Sequence, residues 1–172
     1  MEPATGARPT LSIGESMAMA WRHHAAGTFR DAALISTRVL QLEPNNADAL
    51  HLLGVLAYQA NDQDRAIQLI GAAIRAHRTS APMHGNLALA RLAKGDLNGA
   101  AASARKAVEL SASYADAHRV LGLVYQRKGR LKDAVREFER AQGLGLQSDD
   151  LSGHLSQARA ALEVSGSSAS RR

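Results

Sequence analysis

The feature that most constrains this chain is a match of the sequence with itself at an offset of 34 residues. One set of positions at this spacing holds glycine or asparagine, and a second set, five residues later, holds alanine: Gly27, Asn61, Gly95 and Gly129, and Ala32, Ala66, Ala100 and Ala134. Four units without insertion account for these matches, namely 13–46, 47–80, 81–114 and 115–148. A period of this length is typical of small supersecondary units that must stack on one another to bury their apolar faces.

Each unit is predicted to form two helices. In the second unit, apolar residues recur at three- and four-residue spacing from Leu50 to Ala57 and again from Ala66 to Ile74, as on one face of a helix. The glycine or asparagine between them suits the left-handed backbone conformation that often ends a helix. Side-chain oxygens that can cap helix N-termini are predicted within units at Thr28, Asp62 and Asp96, and between units at Asn46, Ser80 and Ser148.

Small residues predict where the helices approach one another most closely. Gly54, Ala88 and Gly122 stand at 34-residue spacing in the first helices, and the repeated alanines occupy one place in the second helices. A position restricted to glycine and alanine is typical of a close contact between two helices. Larger residues such as Tyr125 and Phe138 are expected to fill the space between neighbouring pairs.

The composition excludes several classes of protein. Hydrophobic residues make up 45% of the 172 residues and charged residues 22%, which is typical of a globular chain. Since the chain has no cysteine, it has no disulfide scaffold, thiol catalysis or cysteine-bound metal site. No apolar stretch is long enough to span a membrane, and the N-terminus lacks the apolar core of a secretory signal, so the predicted location is cytoplasmic.

The net charge of +5 makes nucleic acid a partner to consider. However, 16 acidic residues are interspersed with the 21 basic ones, and aromatic residues make up only 3% of the chain. Single-strand binding proteins need more aromatic residues for base stacking. A solvated helical surface is therefore the preferred interpretation, and nucleic acid is not a predicted partner. The abundance of alanine and arginine relative to lysine suggests a bacterium with a GC-rich genome.

These residues resemble the tetratricopeptide repeat (TPR) family. The fourth unit matches the family pattern best, with Leu121-Gly122, Tyr125, Gly129, Ala134, Phe138 and Ala141. The first unit departs from the pattern at Ala20 and His23, and the second and third units have Arg78 and Ala112 in place of the final proline. The resemblance covers about 13–148 and implies an all-α, right-handed superhelical solenoid of antiparallel helix pairs.

The segments outside the repeats have their own predictions. Residues 1–12, which contain two prolines and a glycine, are expected to form a flexible arm. Residues 149–164 are expected to form a helix that caps the array through an apolar stripe of Leu151, Leu155, Ala158 and Leu162. The serine-rich and basic residues 165–172 are expected to be a disordered tail.

In the resembled family, the first helices of the units line a concave groove that binds segments of other proteins. Carried over to this chain, the groove is predicted to contain Met17, Trp21, His24, His51, Val55, Tyr58, Gln59, Asn86, Leu89, Leu92, Arg119, Leu123, Gln126 and Arg127. Its middle is apolar and its far end is basic, so a protein or peptide with apolar anchors and acidic residues is the expected partner. The alternative for some apolar members, Leu123 above all, is packing inside the array.

No arrangement of residues predicts catalysis, a metal or a cofactor. A nucleophile elbow, a phosphate-binding glycine loop and a His-Glu-x-x-His helix are all absent from the sequence. His23 and His24 are adjacent and so point apart on a helix, whereas His84 and His118, at the same place in successive units, lack a third ligand. A non-enzymatic adaptor that binds proteins is therefore the leading interpretation.

Two functions known in the family can be compared with the sequence. TPR co-chaperones that bind the C-terminal carboxylate of heat-shock chaperones need a set of lysine, asparagine and arginine residues, of which only Asn86 is present. The repeated asparagine of sugar-transferring TPR proteins likewise occurs only as Asn86. Residues 21–27 and 47–54 nevertheless resemble bacterial TPR regions that precede glycosyltransferase or sulfotransferase domains. A substrate-selecting role beside such an enzyme is therefore the alternative, and no oligomeric state is predicted.

Overall fold

The computed structural model describes the backbone of residues 11–169 and the side chains of residues 11–164. This part of the chain forms nine α-helices and no strand, which confirms the all-α class. The helices are α1 (Ile13–Ala25), α2 (Phe29–Leu42), α3 (Ala47–Gln59), α4 (Gln63–Ala76), α5 (Ala81–Lys94), α6 (Leu97–Leu110), α7 (Ala115–Arg127), α8 (Leu131–Gly143) and α9 (Asp149–Ala169).

Helix contacts define the shape of the array. Each helix packs against the helix before it and the helix after it. Each odd-numbered helix also contacts the next odd-numbered helix, whereas no even-numbered helix in the described residues contacts the next even-numbered one. The array therefore curves with its odd-numbered helices on the inner, concave side, as expected for a solenoid of helix pairs.

The turn inside each pair ends the first helix with a residue in the left-handed conformation. Gly27, Gly95 and Gly129 have φ angles of 76°, 87° and 71°, and Asn61 has a φ of 62°. Glycine adopts this conformation without a steric penalty, and asparagine tolerates it better than most other residues. The repeated glycine or asparagine is thus explained by the backbone geometry of the turn.

Most of the predicted helix caps are confirmed. A side-chain oxygen accepts a hydrogen bond from an N–H of the first helical turn at Asn46, Asp62, Ser80, Asp96 and Ser148. The cap predicted at Thr28 is wrong, because no such bond is formed there. The Thr28 hydroxyl instead donates to the carbonyl oxygen of His23 (3.1 Å) and lies 2.8 Å from Nδ1 of the same residue, so the preceding turn holds it.

Two glycines mark close contacts between the helices of a pair. A Cβ atom added at Gly54 would lie 2.5 Å from Cγ1 of Ile70, and one added at Gly122 would lie 2.4 Å from ring carbons of Phe138. The repeated alanines of the second helices are fully buried. The close approach predicted from the small residues is therefore confirmed at these places.

The ends of the array differ in part from the sequence predictions. Residues 1–10 of the predicted arm lie outside the described residues, and Ser12 caps α1 by a reciprocal pair of hydrogen bonds with Glu15. Helix α9 continues to Ala169, past the predicted helix end at residue 164 and into the segment that was expected to be disordered. No proline interrupts this stretch, so each of its residues keeps the backbone N–H that a helical hydrogen bond needs. Residues 170–172 lie outside the described residues.

Within residues 11–169, none of the helices combines the length and the hydropathy that a membrane span requires.

Candidate functional site

We call the exposed surface of α1, α3, α5 and α7 on the concave side the groove. The predicted groove residues that are partly or fully exposed are Trp21, His24, Val55, Tyr58, Gln59, Asn86, Leu89, Arg119, Leu123, Gln126 and Arg127. Leu89 and Leu123 are half-buried, and each packs against the core that runs from α5 to α9. Leu123 therefore packs inside the array, as the alternative predicted, and also keeps part of its side chain exposed.

Three predicted groove residues are buried instead of exposed. Met17, His51 and Leu92 have exposed fractions of 4%, 6% and 4%. Met17 belongs to a core cluster with Leu52, and Leu92 belongs to one with Val124. At these places the helix faces the neighbouring unit, so a large side chain fills the contact between units and does not reach the surface.

A pocket of about 190 Å³ opens between α3, α4 and α5. It is lined by Val55, Tyr58, Gln59, Ile70, Asn86 and Leu89. Ile70 is fully buried, whereas the other lining residues were all predicted for the groove. The volume is below the range of about 300–1,000 Å³ that is usual for small-molecule sites. The pocket therefore has room for one apolar side chain rather than for a cofactor.

A buried histidine links α3 to α5 beside this pocket. Nδ2 of Asn86 donates a hydrogen bond to Nε2 of His51, at 2.8 Å. Burial lowers the pKa of His51 to about 4, an effect that the Asp48 carboxylate only partly opposes. The ring is therefore neutral at pH 7, and one N–H of the Asn86 amide is already engaged within the protein. The Trp21 ring also packs against the His51 ring, with centroids 5.4 Å apart.

The predicted basic end of the groove is partly neutralised by contacts within the chain. Arg119 forms an ion pair with Asp116 on the same helix, at 3.2 Å. Nη1 of Arg127 donates to the carbonyl oxygen of Leu92 at 2.8 Å and so caps the last turn of α5. Arg127 remains exposed, so its charge still faces solvent.

His84 and His118, for which packing or surface exposure was predicted in preference to metal binding, connect successive units. Nε2 of His84 lies 3.2 Å from the carbonyl oxygen of Arg78, and Nε2 of His118 lies 3.3 Å from that of Ala112. Arg78 and Ala112 are the residues that replace the final proline of the repeat pattern. His118 is buried, and its Nδ1 also lies 2.8 Å from Oε2 of Glu137. The 34-residue spacing of these histidines was the sequence signal for this role.

Among the described residues, no group of three histidine, cysteine or acidic side chains is arranged to hold a metal ion. The adjacent histidines of α1 have different neighbours: His23 lies 3.9 Å from Asp31, and the His24 ring packs between Trp21 and Phe29. The partly or fully exposed side chains of the groove are apolar at Val55 and Leu89, polar at Gln59 and charged at Arg127.

Comparisons with known proteins agree with the helix-pair architecture. A family model described as tetratricopeptide repeat matches residues 23–90, and one described as TPR repeat matches residues 88–129. The chain is 38% identical over 109 residues to tetratricopeptide repeat protein 36 from Homo sapiens, and this match covers 61% of the chain and 58% of that protein. The chain thus spans less than two thirds of the curated relatives it matches.

Solved structures share the same fold. The APC/C hetero-tetramer Cut9–Hcn1 superimposes with a TM-score of 0.79 at 19% identity, over 86% of this chain and 30% of the matched chain. A mutant O-GlcNAc transferase from Thermobaculum terrenum superimposes with a TM-score of 0.68 at 27% identity, over 74% of this chain and 26% of that enzyme. Because the two family models together match more than half of a chain that folds as stacked helix pairs, this chain belongs to the tetratricopeptide repeat family.

Proposed function

We propose that this chain is a non-enzymatic adaptor that holds a segment of a partner protein along the groove. The observation that carries this proposal is the pocket between α3, α4 and α5, because its walls are mostly apolar and come from exposed faces of two odd-numbered helices. Proteins of the TPR family generally mediate contacts between proteins, which supports this class of ligand. The cytoplasmic and bacterial setting predicted from the composition belongs to the same proposal.

The proposed ligand is an extended or helical segment with an apolar side chain that enters the pocket. Trp21 and Leu123, both partly exposed, extend the apolar surface on either side of it. Acidic residues in the ligand would meet the exposed Arg127 near the end of α7. Because exposed charges steer association more than they hold a complex, the apolar anchor is expected to supply most of the affinity.

The proposal is tested by placing a charge in the pocket wall. Leu89→Glu is the variant of choice, because Leu89 is half-buried, whereas a charge at the buried Leu92 would destabilise the fold. A photo-crosslinking amino acid at the partly exposed Tyr58, which lines this pocket, identifies the partner segment in a native lysate. The segment, synthesised as a peptide, is then titrated by calorimetry. Leu89→Glu is expected to weaken binding by at least about tenfold.

The matched control is Arg75→Glu, a charge change at an exposed position on α4, outside the groove. It should leave the affinity unchanged. If Arg75→Glu weakens binding as much as Leu89→Glu, the groove is not the binding surface.

A second candidate function is supported by the likeness to the O-GlcNAc transferase, of which the chain covers 26%. In this proposal the chain selects substrates for a glycosyltransferase or sulfotransferase, either beside it as a separate protein or as a region of the same enzyme. Purification from the native source, followed by assays for sugar and sulfate transfer, distinguishes the two functions. A transferase that co-purifies with both the wild-type chain and Leu89→Glu, while its substrate is retained only by the wild type, would favour the second one.

A further inference from the structure

Lysine side chains bridge two of the junctions between units. Nζ of Lys94, the last residue of α5, contacts Oδ1 of Asp64, the second residue of α4. One unit later, Nζ of Lys128 donates to Oδ1 of Asn98, the second residue of α6, at 2.7 Å. In each case a lysine at the C-terminal end of an odd-numbered helix reaches back to a side-chain oxygen at the start of the preceding even-numbered helix.

The junction between the first two units lacks this bridge. The 34-residue spacing places Ala60 where the lysines stand and Arg30 where their acceptors stand. A methyl group thus replaces the lysine, and a cation replaces the acceptor. The place that the bridge would occupy is an open pocket of about 310 Å³, which we call the edge slot.

The edge slot has an apolar interior. It is lined by Phe29, Arg30, Ala33, Leu56, Gln59 and Ala60. The Phe29 ring is 45% exposed and rests against the His24 ring, with centroids 5.7 Å apart. A neighbouring cavity of about 240 Å³ shares Ala33, Leu56 and Ala60 with it, so the apolar surface continues beyond the slot toward α4. An exposed aromatic ring beside a continuous apolar surface is typical of a site that contacts another molecule.

The positive charge of Arg30, at the rim of the edge slot, has no acidic partner within residues 11–164. The Arg30 side chain is exposed, and its guanidinium makes no hydrogen bond or ion pair with any residue from 11 to 164. The carboxylate in the neighbouring cavity, Asp62, accepts a hydrogen bond from the backbone N–H of Arg65 at 3.0 Å and so caps α4. A guanidinium next to an apolar pocket is complementary to a carboxylate that follows an apolar side chain, because the planar group binds a carboxylate through two parallel hydrogen bonds.

We propose that the edge slot binds a short segment of another protein in which a large apolar side chain is followed by a carboxylate. The apolar side chain enters between Phe29, Ala33 and Leu56, and the carboxylate pairs with Arg30. The slot is distinct from the groove, with which it shares only Gln59. The chain would then hold two protein segments at once, one on its concave side and one at the edge of its first junction.

The test converts this junction into one like its neighbours. The double variant Arg30→Asp with Ala60→Lys introduces the lysine and the acceptor that bridge the other junctions, and both positions are exposed. The probe is a fluorescein-labelled peptide, Gly-Ser-Phe-Asp-Asp-Gly, measured by fluorescence anisotropy. The wild-type protein is expected to bind it with a Kd below about 1 mM, and the double variant at least about tenfold more weakly. The thermal midpoint of the double variant should not fall, which separates loss of the site from loss of the fold.

Three controls complete the experiment. Arg38→Asp makes the same charge change on α2 as Arg30→Asp, but away from the slot, and should leave the Kd unchanged. Leu89→Glu, in the groove, should also leave it unchanged. A probe with lysine in place of both aspartates should not bind. The proposal is overturned if the wild-type protein does not bind the acidic probe, if the double variant binds it as well as the wild type, or if either control variant weakens binding as much as the double variant does.

Discussion

The side chain of Asn86 is committed to His51, whose Nε2 it approaches to 2.8 Å across the contact between α5 and α3. An asparagine at this place could otherwise bind the backbone of a ligand, but here it satisfies a buried ring. We therefore expect the apolar residues of the pocket to supply most of the affinity of the proposed binding site. The same contact makes the stability of the array sensitive to pH.

The first prediction concerns the protonation of His51. Its pKa is about 4 in the folded protein, against an ordinary value of 6.5. Between these values the unfolded chain binds more protons than the folded one, so the free energy of unfolding should fall as the pH is lowered from 6.5 to 4. The loss is roughly 2 kcal/mol and is absent above pH 6.5. Urea denaturation at pH 7 and at pH 4.5 measures it.

His51→Gln is the matched variant, because a glutamine oxygen can accept the hydrogen bond of Asn86 without titrating. Its unfolding free energy should depend less on pH than that of the wild type over this range. Equal pH dependence of the two proteins would contradict the assignment to His51.

The second prediction concerns the contact between α7 and α8. Gly122→Ala places a Cβ atom 2.4 Å from the Phe138 ring, which is fully buried and cannot move without shifting the core. The substitution should cost about 1–3 kcal/mol of stability. Gly153→Ala on α9 is the control, since its Cβ would meet nothing within 4 Å. By helix propensity alone it should stabilise the protein by up to about 1 kcal/mol. Thermal midpoints that fell equally in both variants would refute the close-contact model.

The third prediction uses two histidines at the same place in successive units. His118→Ala removes a buried ring that contacts both Glu137 and the Ala112 carbonyl group, and leaves both partners short of a hydrogen bond. We expect a cost of about 2–3 kcal/mol. His84→Ala removes a more exposed ring that contacts only the Arg78 carbonyl group and should cost less than about 1 kcal/mol. Chemical denaturation measures the unfolding free energy of each variant. Similar losses of stability in the two variants would show that burial does not determine how much each histidine contributes.

The fourth prediction concerns α9. Leu151, Leu155 and Ala158 are buried in the core cluster that α9 shares with α7 and α8. Deletion of residues 149–172 should expose this surface, lower the thermal midpoint and promote association, as seen by size-exclusion chromatography. Deletion of residues 165–172 alone should have little effect. A soluble and equally stable 1–148 fragment would contradict a capping role.

The repeat made much of the fold predictable, because the residues that recur every 34 positions are those that the turns and caps of each helix pair require. The left-handed turn at Asn61 and the cap at Ser80 depend on local chemistry, and both are present as expected. The burial of Met17 and Leu92 was not predictable in this way. The burial of a residue at a repeat position depends on the side chains of the adjoining unit. The groove positions were assigned from the repeat pattern of one unit, which does not describe its neighbours.

The edge slot was also absent from the sequence predictions, although its signal was present in the sequence. Lys94 and Lys128 follow the repeat, and Ala60 interrupts it. Only the structure shows that these lysines reach across to Asp64 and Asn98, so that an alanine at the same place leaves a space between units.

No helix in the described part of the chain contacts another that is more than two places away along the sequence. Native contacts therefore close only short loops, so the chain has a low contact order and is expected to fold rapidly. The most extensive buried cluster runs from α5 to α9, and the first two units have smaller ones. The first two units, whose buried clusters are smaller, are synthesised before the later units. They would gain their full stability only when the later units stack against them.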